Sequence, residues 1–375
     1  MNILVFNCGS SSLKYRLVSL SSGDLARGVI DRLRPGDHPA AIAQALAVLR
    51  EGHSPALERI AAVGHRVVHG GERFTGPVLV DGQVLEAIRA CIPLAPLHNP
   101  ANLAGIEAAM SLLPAVPQVA VFDTAFHASL APHAYLYALP KQLYERHGIR
   151  RYGFHGTSHA YVAGRCAELL GQPLSRLNLV TCHLGNGASV TAVAGGASLD
   201  TSMGFTPLEG LIMGTRSGDV DAGAVLRVME REALDPAGMA ALLNADGGLV
   251  GLCGYSDMRD VEAGVERGDA DCLVAFTAYC HRLRKYIGAY AAAMDGLDGL
   301  VFTAGVGENS PAVRAATCAG LAWFGVAIDP AANAARGEER ELTAPGARVR
   351  TFVIPTDEEL AIAKAAARLA SALRP

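Results

Sequence analysis

The sequence has few features of extracellular proteins, of membrane-embedded proteins or of proteins stabilised by a structural metal ion. Its 8 cysteines are scattered without a Cys-x-x-Cys pair, which argues against a disulfide framework or a zinc site and favours a reducing compartment. No apolar run reaches the length of a membrane span. The first residues lack the basic segment of a signal peptide. We therefore expect a cytoplasmic protein that does not associate with membranes.

Charge is also sparse. Charged residues make up 18% of the chain, the formal net charge is −4, and no basic run exceeds residues 282–285. These values give no support for nucleic-acid binding. By contrast, 50% of the 375 residues are hydrophobic, so the chain is long and apolar enough for two domains, each with its own core.

A strand followed by a polar turn opens the chain. Residues 3–6 are apolar, the turn NCGSSSL occupies residues 7–13, and Lys14 follows. Backbone N–H groups, hydroxyls and the Lys14 ammonium can surround a phosphate at such a turn. It lacks the Gly-Lys-Ser/Thr of a P-loop, and residues 15–20 alternate like a second strand. We predict a β-hairpin phosphate loop; the alternative is an ordinary turn, where Gly and Ser are common.

The same pattern occurs twice more. A strand at residues 177–182 leads into HLGNGAS at 183–189, and a strand at 299–302 leads into the loop TAGVGEN at 303–309. Three glycine-rich turns that each leave a strand predict a duplicated α/β architecture, with a polyphosphate held between its halves.

The pattern of apolar residues and caps places further elements. Ser310 with Pro311 predicts a helix start, and Thr356 with Glu359 predicts a capping box for the last helix, to about residue 373. Asn99 is the expected N-cap of the helix ahead of Pro100. The expected helices are 39–50, 99–110 and 271–294, the last with an apolar stripe of Leu273, Phe276, Cys280, Leu283 and Ile287, and the expected strands are 117–122 and 348–354.

Six further segments, together with the three loops, closely resemble the acetate kinases. They are GHRVVHGG at 64–71, APLHNP at 95–100, VFDTAFH at 121–127, YGFHGTSH at 152–159, GFTPLEGLIMGTR at 204–216 and PTDEE at 355–359. The resemblance places the chain with the acetate and sugar kinases, Hsp70 and actin. It implies two duplicated ribonuclease-H-like (actin-like ATPase) α/β domains with a nucleotide cleft between them. The expected domains are 1–125 plus about 359–375, and 126–358.

The resemblance also implies an activity and its residues. Acetate kinases transfer the γ-phosphoryl group of ATP to acetate with Mg²⁺, for which Mn²⁺ is the alternative. They form homodimers, here through the second domain, where the 271–294 stripe is available. Arg66 and Arg216 would hold the carboxylate and the phosphoryl group, His155 would stabilise the transition state, and Asp123 would orient the reacting groups or the metal. The remaining implied roles are metal placement by Asn7 and Glu358, mostly through water; phosphate contacts by Ser10, Ser12 and Lys14; ATP contacts by His183, Asn186, Gly187, Gly305, Gly307 and Asn309; and a methyl pocket of Val68, Leu97, Phe154 and Pro207.

Elementary chemistry makes these roles reasonable. A short carboxylic acid has a pKa of roughly 4.3, so the acceptor is ionised at neutral pH and needs no general base; Asp123 should not be assigned that role. The difficulty is bringing a carboxylate up to a polyanionic γ-phosphate. Two guanidiniums, an imidazole and Mg²⁺ offset this repulsion, and the planar fork of arginine suits bidentate contacts.

Several of these residues also have purely structural interpretations. Arg66 could be a buried ion-pair partner, Asp123 a helix cap, Glu358 a first-turn acid, and Phe154 and Leu97 core residues. The pairs His65/His69 and His155/His159 mimic metal-ligand spacing, but neither has the glutamate of a His-Glu-x-x-His motif.

The chain departs from its apparent family in two places. Between residues 34 and 40 it is shorter, which predicts the loss of peripheral strands before the first helix. Asp357 stands where Asn is more usual, which adds negative charge near Glu358.

Three functions follow from this reasoning. The first is acetate kinase, and the second is a propionate or butyrate kinase. A single methylene in an apolar pocket changes binding by only about 1–3 kcal/mol, so chain-length discrimination is modest. The third is a non-enzymatic nucleotide switch of the Hsp70 or actin kind, which would not need Arg66, Arg216 and His155 together.

Overall fold

The structure, a computed structural model, describes residues 1–9 and 11–373. Residue contacts divide them into two compact units. Unit 1 comprises Met1–Ala128, Gly156–Ser158 and the chain from Asp357 onward, and unit 2 comprises Ser129–His155 and His159–Thr356. Ser10, which the sequence places in the phosphate loop, lies outside the described residues.

Strands and helices alternate along much of the chain. The strands are β1 (Asn2–Cys8), β2 (Ser12–Ser19), β3 (Gly23–Asp31), β4 (Ile60–Val67), β5 (Val78–Leu79), β6 (Gln118–Phe122), β7 (Asn178–Leu184), β8 (Ala188–Ala194), β9 (Ala197–Thr201), β10 (Gly299–Thr303), β11 (Arg340–Glu341) and β12 (Arg350–Val353). The α-helices are α1 (His38–Leu57), α2 (Gly82–Ala90), α3 (Asn99–Leu112), α4 (Pro132–Tyr135), α5 (Lys141–His147), α6 (Gly156–Leu170), α7 (Ala222–Arg231), α8 (Pro236–Ala245), α9 (Gly248–Cys253), α10 (Met258–Glu266), α11 (Ala270–Ala293), α12 (Ala304–Asn309), α13 (Pro311–Cys318), α14 (Pro330–Ala334) and α15 (Glu358–Ala372). Among the described residues no single helix is long and apolar enough to cross a membrane. Only α8 and the stretch Gly248–Glu266, which are bent by 83° relative to each other, meet the length and composition criteria together.

Each unit contains one six-stranded sheet, and the two sheets repeat the same topology. The strand order is β3-β2-β1-β4-β6-β5 in unit 1 and β11-β12-β10-β7-β8-β9 in unit 2. In both, an antiparallel meander of three strands is followed by two parallel strands and a short antiparallel edge strand. This repetition confirms the predicted duplicated α/β fold.

Helices cover both faces of the sheet of unit 1, and successive apolar side chains along its strands point alternately to one face and the other. Leu4 and Phe6 point to the side covered by α1 and α3, where they join one core cluster. Ile3 and Val5 point to the other side and pack against the alanine-rich α15. The period of two along β1 thus decides which helix each residue contacts. A continuous apolar run is what a strand covered on both faces requires.

The long helix α11 belongs mainly to the core of unit 2. Cys280, Leu283 and Ile287 of its predicted apolar stripe are buried, whereas Leu273 is exposed at the N-terminal end. The expectation that this stripe is available to a second subunit is therefore wrong for its three buried residues, because the stripe already packs inside its own unit.

Most predicted helix ends agree with the structure, with three informative differences. Ser310 caps α13 through the backbone N–H of Val313, as predicted. The cap of α3 is His98 rather than Asn99. The last helix is capped by Asp357, whose carboxylate accepts from the N–H of Leu360, so the predicted Thr356–Glu359 capping box is wrong. The third glycine-rich segment is the short helix α12 and not an open loop.

All 8 cysteines are free, and all except Cys253 are buried. Burial raises the pKa of the Cys8, Cys166 and Cys318 thiols to about 12, which keeps them in the unreactive protonated form. Cys253 at the end of α9 is of intermediate exposure and lies 3.3 Å from the carbonyl oxygen of Leu249.

Candidate active site

Unit 1 brings Asn7, Arg66 and Asp123 together at the carboxyl ends of three adjacent strands. Asn7 is on β1, Arg66 is on β4, and Asp123 directly follows β6. The Nε atom of Arg66 donates to both Asp123 carboxylate oxygens, at 3.2 and 3.0 Å, and Nη2 donates to Oδ2. Nη1 donates to Asn7 Oδ1 at 3.3 Å. Because parallel strands end at one sheet edge, ligands of α/β proteins commonly bind there.

Glu358 completes this cluster from the first turn of α15. Its Oε2 atom lies 3.9 Å from Arg66 Nε. Burial raises the pKa of Glu358 to about 7, with Arg66 and Lys14 opposing and Asp123 and Glu359 reinforcing the shift. Burial alone would lower the pKa of Arg66, but Asp123 and Glu358 outweigh it and the pKa is raised. The cluster thus places two carboxylates, those of Asp123 and Glu358, beside the single guanidinium of Arg66.

The remaining unit 1 residues from the sequence differ in exposure. Ser12 begins β2, and its carbonyl oxygen accepts from the N–H of Gly9 at 2.8 Å within the hairpin turn. Lys14 is exposed in a groove of about 480 Å³ that also contains Arg16 and Arg27. Val68 is buried, whereas Leu97 is 73% exposed.

Asp357, the residue that departs from the family pattern, pairs with Arg16 in addition to capping α15. Its negative charge is therefore offset by a cation on the neighbouring strand β2. This contact accounts for the charge that the sequence adds next to Glu358.

Two buried asparagines of α3 hold the ends of β1 and β4. The Asn102 side chain donates to the carbonyl oxygen of Cys8 at 2.6 Å and accepts from the N–H of Val68 at 3.0 Å. Asn99 accepts from the N–H of His69 at 3.1 Å and donates to its carbonyl oxygen at 2.9 Å. Asn102 thus bridges the two strands that carry Asn7 and Arg66, a role that no sequence motif indicated.

The suspected histidine pairs have polar partners that explain their positions. His65 Nε2 is 2.8 Å from Gln118 Oε1, and burial lowers the pKa of His65 to about 4. His69 Nδ1 accepts from the N–H of Gly71 at 3.0 Å. Among the described residues no group of three or more His, Cys, Asp or Glu has a metal-binding arrangement of its own.

Unit 2 brings His155, His183 and Gly187 together near the start of α6. The rings of His155 and His183 stack with centroids 4.2 Å apart. His155 Nδ1 lies 2.9 Å from Ser189 Oγ. A Cβ atom on Gly187 would lie 3.5 Å from His155 Nε2 and 3.4 Å from Arg216 Nη1, so the glycine adds no side chain at the edges of these two residues. Phe154 beside them is buried.

Arg216 has only neutral partners among the described residues. Its Nη1 donates to the carbonyl oxygen of Pro207 at 3.1 Å and contacts the sulfur of Met213 at 3.7 Å. Burial lowers the pKa of Arg216. A half-buried guanidinium without a carboxylate partner is electrostatically uncompensated, unlike Arg66, and favours a bound anion.

A network beneath residues 204–207 supports both His155 and Arg216. Glu209 accepts from the Tyr137 hydroxyl and from Arg151 Nη2, the latter at 2.6 Å. The Tyr137 oxygen in turn accepts from the N–H of Phe205 at 2.8 Å. The carbonyl oxygen of Gly204 accepts from the N–H of Tyr152 at 3.0 Å, in the segment that leads to His155.

A cavity of about 540 Å³ lies in unit 2 beside the second glycine turn and α12. Three of the sequence-predicted nucleotide residues line it, namely Asn186, Gly305 and Asn309, whereas His183, Gly187 and Gly307 do not. The other lining residues are Gly185, Gly214, Leu249, Ser256, Asp257, Met258, Arg259, Glu262, Tyr279, Val306, Ser310 and Arg336. Sequence reasoning missed this wall, because residues 249–262 carry no recognisable motif and only the fold brings them to the glycine turns.

Comparison with known proteins gives a consistent result. The model of the acetokinase family matches residues 31–364. The acetate kinase of Carboxydothermus hydrogenoformans is 50% identical over 389 aligned positions, covering 97% of this chain and 98% of the relative. This aligned length exceeds 375 residues, so the chain lacks residues that the relative has.

Solved structures of two carboxylate kinases are also similar to this chain in fold and sequence. The acetate kinase of Porphyromonas gingivalis has a TM-score of 0.95 at 44% identity, covering 98% of this chain and 99% of that one. A propionate kinase from Francisella tularensis has a TM-score of 0.90 at 39% identity, with the same coverage. These findings confirm the resemblance seen in the sequence motifs. The chain belongs to the acetokinase family.

Proposed function

We propose that this protein catalyses the reversible transfer of the γ-phosphoryl group from ATP to acetate, giving acetyl phosphate and ADP by direct in-line displacement. The observation that carries the proposal is Arg216, a half-buried cation with neutral partners beside His155 and Gly187. A transferring phosphoryl group is the anion that such a pair can stabilise. Membership of the acetokinase family supports the same reaction.

The acceptor carboxylate is assigned to Arg66 in unit 1. Asp123 holds the guanidinium through Nε and Nη2, which leaves Nη1 with only the 3.3 Å contact to Asn7. Acetate is ionised at neutral pH, so its oxygen attacks the γ-phosphorus without a base while the bond to the β,γ-bridging oxygen breaks. Asp123 thus orients Arg66 and does not take up a proton.

The oxygen atoms around Arg66 fit Mg²⁺, and Mn²⁺ suits the same ligands. Asn7, Asp123 and Glu358 present an amide and two carboxylates, the hard donors that these ions prefer. A divalent cation would also stabilise the ionised form of Glu358, whose pKa is raised by burial and, to a smaller extent, by Asp123 and Glu359. We assign Asn7 and Glu358 to hold the ion, mostly through water. When bound, Mg²⁺ neutralises charge on the phosphates.

The nucleotide is assigned to the cavity and glycine-rich segments of unit 2, with further phosphate contacts from the first hairpin. We place the nucleoside of ATP in the cavity of unit 2, which has the size of a small-molecule site and combines apolar Leu249 and Met258 with polar side chains. His183 and the turn at Gly187, with α12 behind it, are assigned to the phosphates, as are Ser10, Ser12 and Lys14 of the first hairpin.

The acyl chain is assigned to Val68, Leu97, Phe154 and Pro207. Val68 and Phe154 are buried and Leu97 is largely exposed. A propionate kinase activity is the second candidate, because a protein of that name shares 39% identity and the fold. A modest change in the wall at Val68 is enough to shift preference between these substrates.

The proposal is tested by kcat/KM for ATP-dependent acyl phosphate formation with acetate, propionate and butyrate. We expect acetate to be the best substrate and Arg216→Ala to lower kcat by about 100- to 1,000-fold, with Arg89→Ala, a surface arginine paired with Glu86 and Glu107, as the control. A maximum at propionate would retain the mechanism and change the substrate. ATP binding without carboxylate-dependent turnover would instead indicate a nucleotide switch.

We further propose a cytoplasmic homodimer. This rests on the family resemblance, and the subunit contact must lie outside the buried stripe of α11. Light scattering at micromolar concentration, which would give twice the 39.0 kDa chain mass, tests it; a mass equal to one chain would contradict it.

A further inference from the structure

Four polar side chains of unit 2 form a continuous row that ends at His155. Thr181 Oγ1 is 2.8 Å from His159 Nδ1, His159 Nε2 is 2.7 Å from Ser189 Oγ, and Ser189 Oγ is 2.9 Å from His155 Nδ1. Thr181, Ser189 and His159 have no solvent exposure. The neighbouring strands β7 and β8 supply the hydroxyls, and both histidines lie at the start of α6.

The hydroxyl at the far end sets the direction of this row. The His159 ring is the side-chain partner of Thr181 Oγ1 among the described residues. A buried donor without an acceptor is more costly than a hydroxyl lone pair left unused. Thr181 therefore donates to His159 Nδ1. A neutral His159 then carries its proton on Nε2 and donates to Ser189, and Ser189 donates to His155 Nδ1.

We propose that Thr181, His159 and Ser189 form a directed hydrogen-bond relay that holds His155 as the neutral tautomer with its proton on Nε2. The Nε2 edge is the one that faces Gly187 and Arg216. The relay deepens the function proposed above, since the transferring phosphoryl group would accept this hydrogen bond. Ser189 and His159 are thus positioning residues, which act on the reaction through His155.

The backbone shows that His155 is held firmly. It adopts φ of 58°, a left-handed conformation that is unfavourable for a residue with a side chain. Such strain persists where surrounding contacts determine the conformation and is common at functional sites. The stack on His183 and the contact with Ser189 are two such constraints on the ring.

Nitrogen-15 NMR of the histidine-labelled protein tests the tautomer in the unaltered protein and without turnover. The signals of His155 are assigned by their loss in His155→Gln. We expect a protonated Nε2 and an unprotonated Nδ1 at neutral pH. A proton on Nδ1 would mean that the relay runs in the opposite direction and would overturn the proposal. Because this result does not depend on activity, it is separable from a failure of the proposed reaction.

Kinetics test the consequence for turnover. We expect Ser189→Ala to lower kcat about 10- to 100-fold while KM for ATP changes little. Thr181→Val should lower kcat less, because Ser189 still contacts His155 and only the hydroxyl that sets the direction of the relay is lost. The matched control is Thr191→Val, on the same face of β8, which loses a buried hydroxyl contact of 2.9 Å to Thr201 and has no link to His155. Equal kcat values for Ser189→Ala and Thr191→Val, in folded proteins, would refute the positioning role.

Discussion

The paired asparagines of α3 allow stability to be separated from catalysis. Asn102→Leu keeps the size and shape of the side chain but leaves the Cys8 carbonyl and the Val68 N–H without partners. Asn99→Leu, one turn earlier, does the same to the N–H and carbonyl of His69. Each unsatisfied buried backbone group costs about 1–3 kcal/mol, so both variants should lose about 4 kcal/mol of unfolding free energy.

Their effects on catalysis should differ. Asn102 joins β1 to β4, so its loss lets the turn that follows Cys8 and the segment that follows Arg66 move apart. A displacement of about 1 Å at reacting groups can lower the rate about 100-fold, and we expect a fall of this size in kcat/KM for acetate. Asn99 contacts only one of these strand extensions, and its variant should retain most activity.

Urea unfolding and initial-rate kinetics on both purified variants provide the comparison, at a temperature where both are fully folded. Equal losses of stability with a much larger loss of activity in Asn102→Leu would support the bridging role. If activity fell equally in the two variants, the reasoning from the two-strand bridge would be refuted, because general loosening of α3 would explain both.

Three further predictions follow from other contacts. Val68→Ala should raise kcat/KM for propionate relative to acetate, and an unchanged ratio would remove this buried side chain from the acyl pocket. His65 has a pKa of about 4 in the folded protein and of roughly 6.5 when unfolded. This difference contributes about 3 kcal/mol to the unfolding free energy, which is present above pH 6.5 and is lost as the pH falls to 4. His65→Gln should therefore flatten the dependence of stability on pH over that range, as measured by urea unfolding. Tyr137→Phe removes the hydroxyl that joins Glu209 to the N–H of Phe205 and should reduce kcat while KM for ATP is preserved. The control Tyr152→Phe, which loses a 3.0 Å hydrogen bond to Gly148, should leave kcat unchanged. Equal kcat losses in the two variants would argue for a general packing effect.

The sequence was a good guide wherever structure depends on neighbouring residues. The apolar runs before the first two glycine turns became β1 and β7, and the repeat of strand, turn and strand predicted two sheets of one topology. Ser310 before Pro311 capped a helix as expected. These features depend on periodicity and local hydrogen bonds, which a linear sequence displays directly.

Predictions failed where contacts with distant residues decide between candidates that the local sequence cannot separate. Thr356 is of a residue type that commonly caps helices, but Asp357 is the N-cap of α15 and also pairs with Arg16. The apolar stripe of α11 could equally have faced a partner, and only the packing of unit 2 shows that it is internal.

The residues of the candidate site also divide into those that sequence motifs indicated and those that only the fold reveals. Motifs supplied Arg66, Asp123, His155 and Arg216, yet nothing in the sequence identified Asn102 or the cavity wall around Met258. His159 attracted notice only through a spacing that imitates metal ligands, and its contact with Ser189 gives that spacing another explanation. Such residues act through contacts that exist only after folding.

The uneven burial of the thiols has a practical consequence. With seven of its cysteines buried and Cys253 partly open, the native protein should take up close to one equivalent of a maleimide dye, without any engineered cysteine. Cys253 adjoins Leu249, a wall of the unit 2 cavity. A fluorophore attached there would sense occupancy of that cavity by a change in emission. The natural sequence therefore already contains an attachment point for an optical reporter of ligand binding.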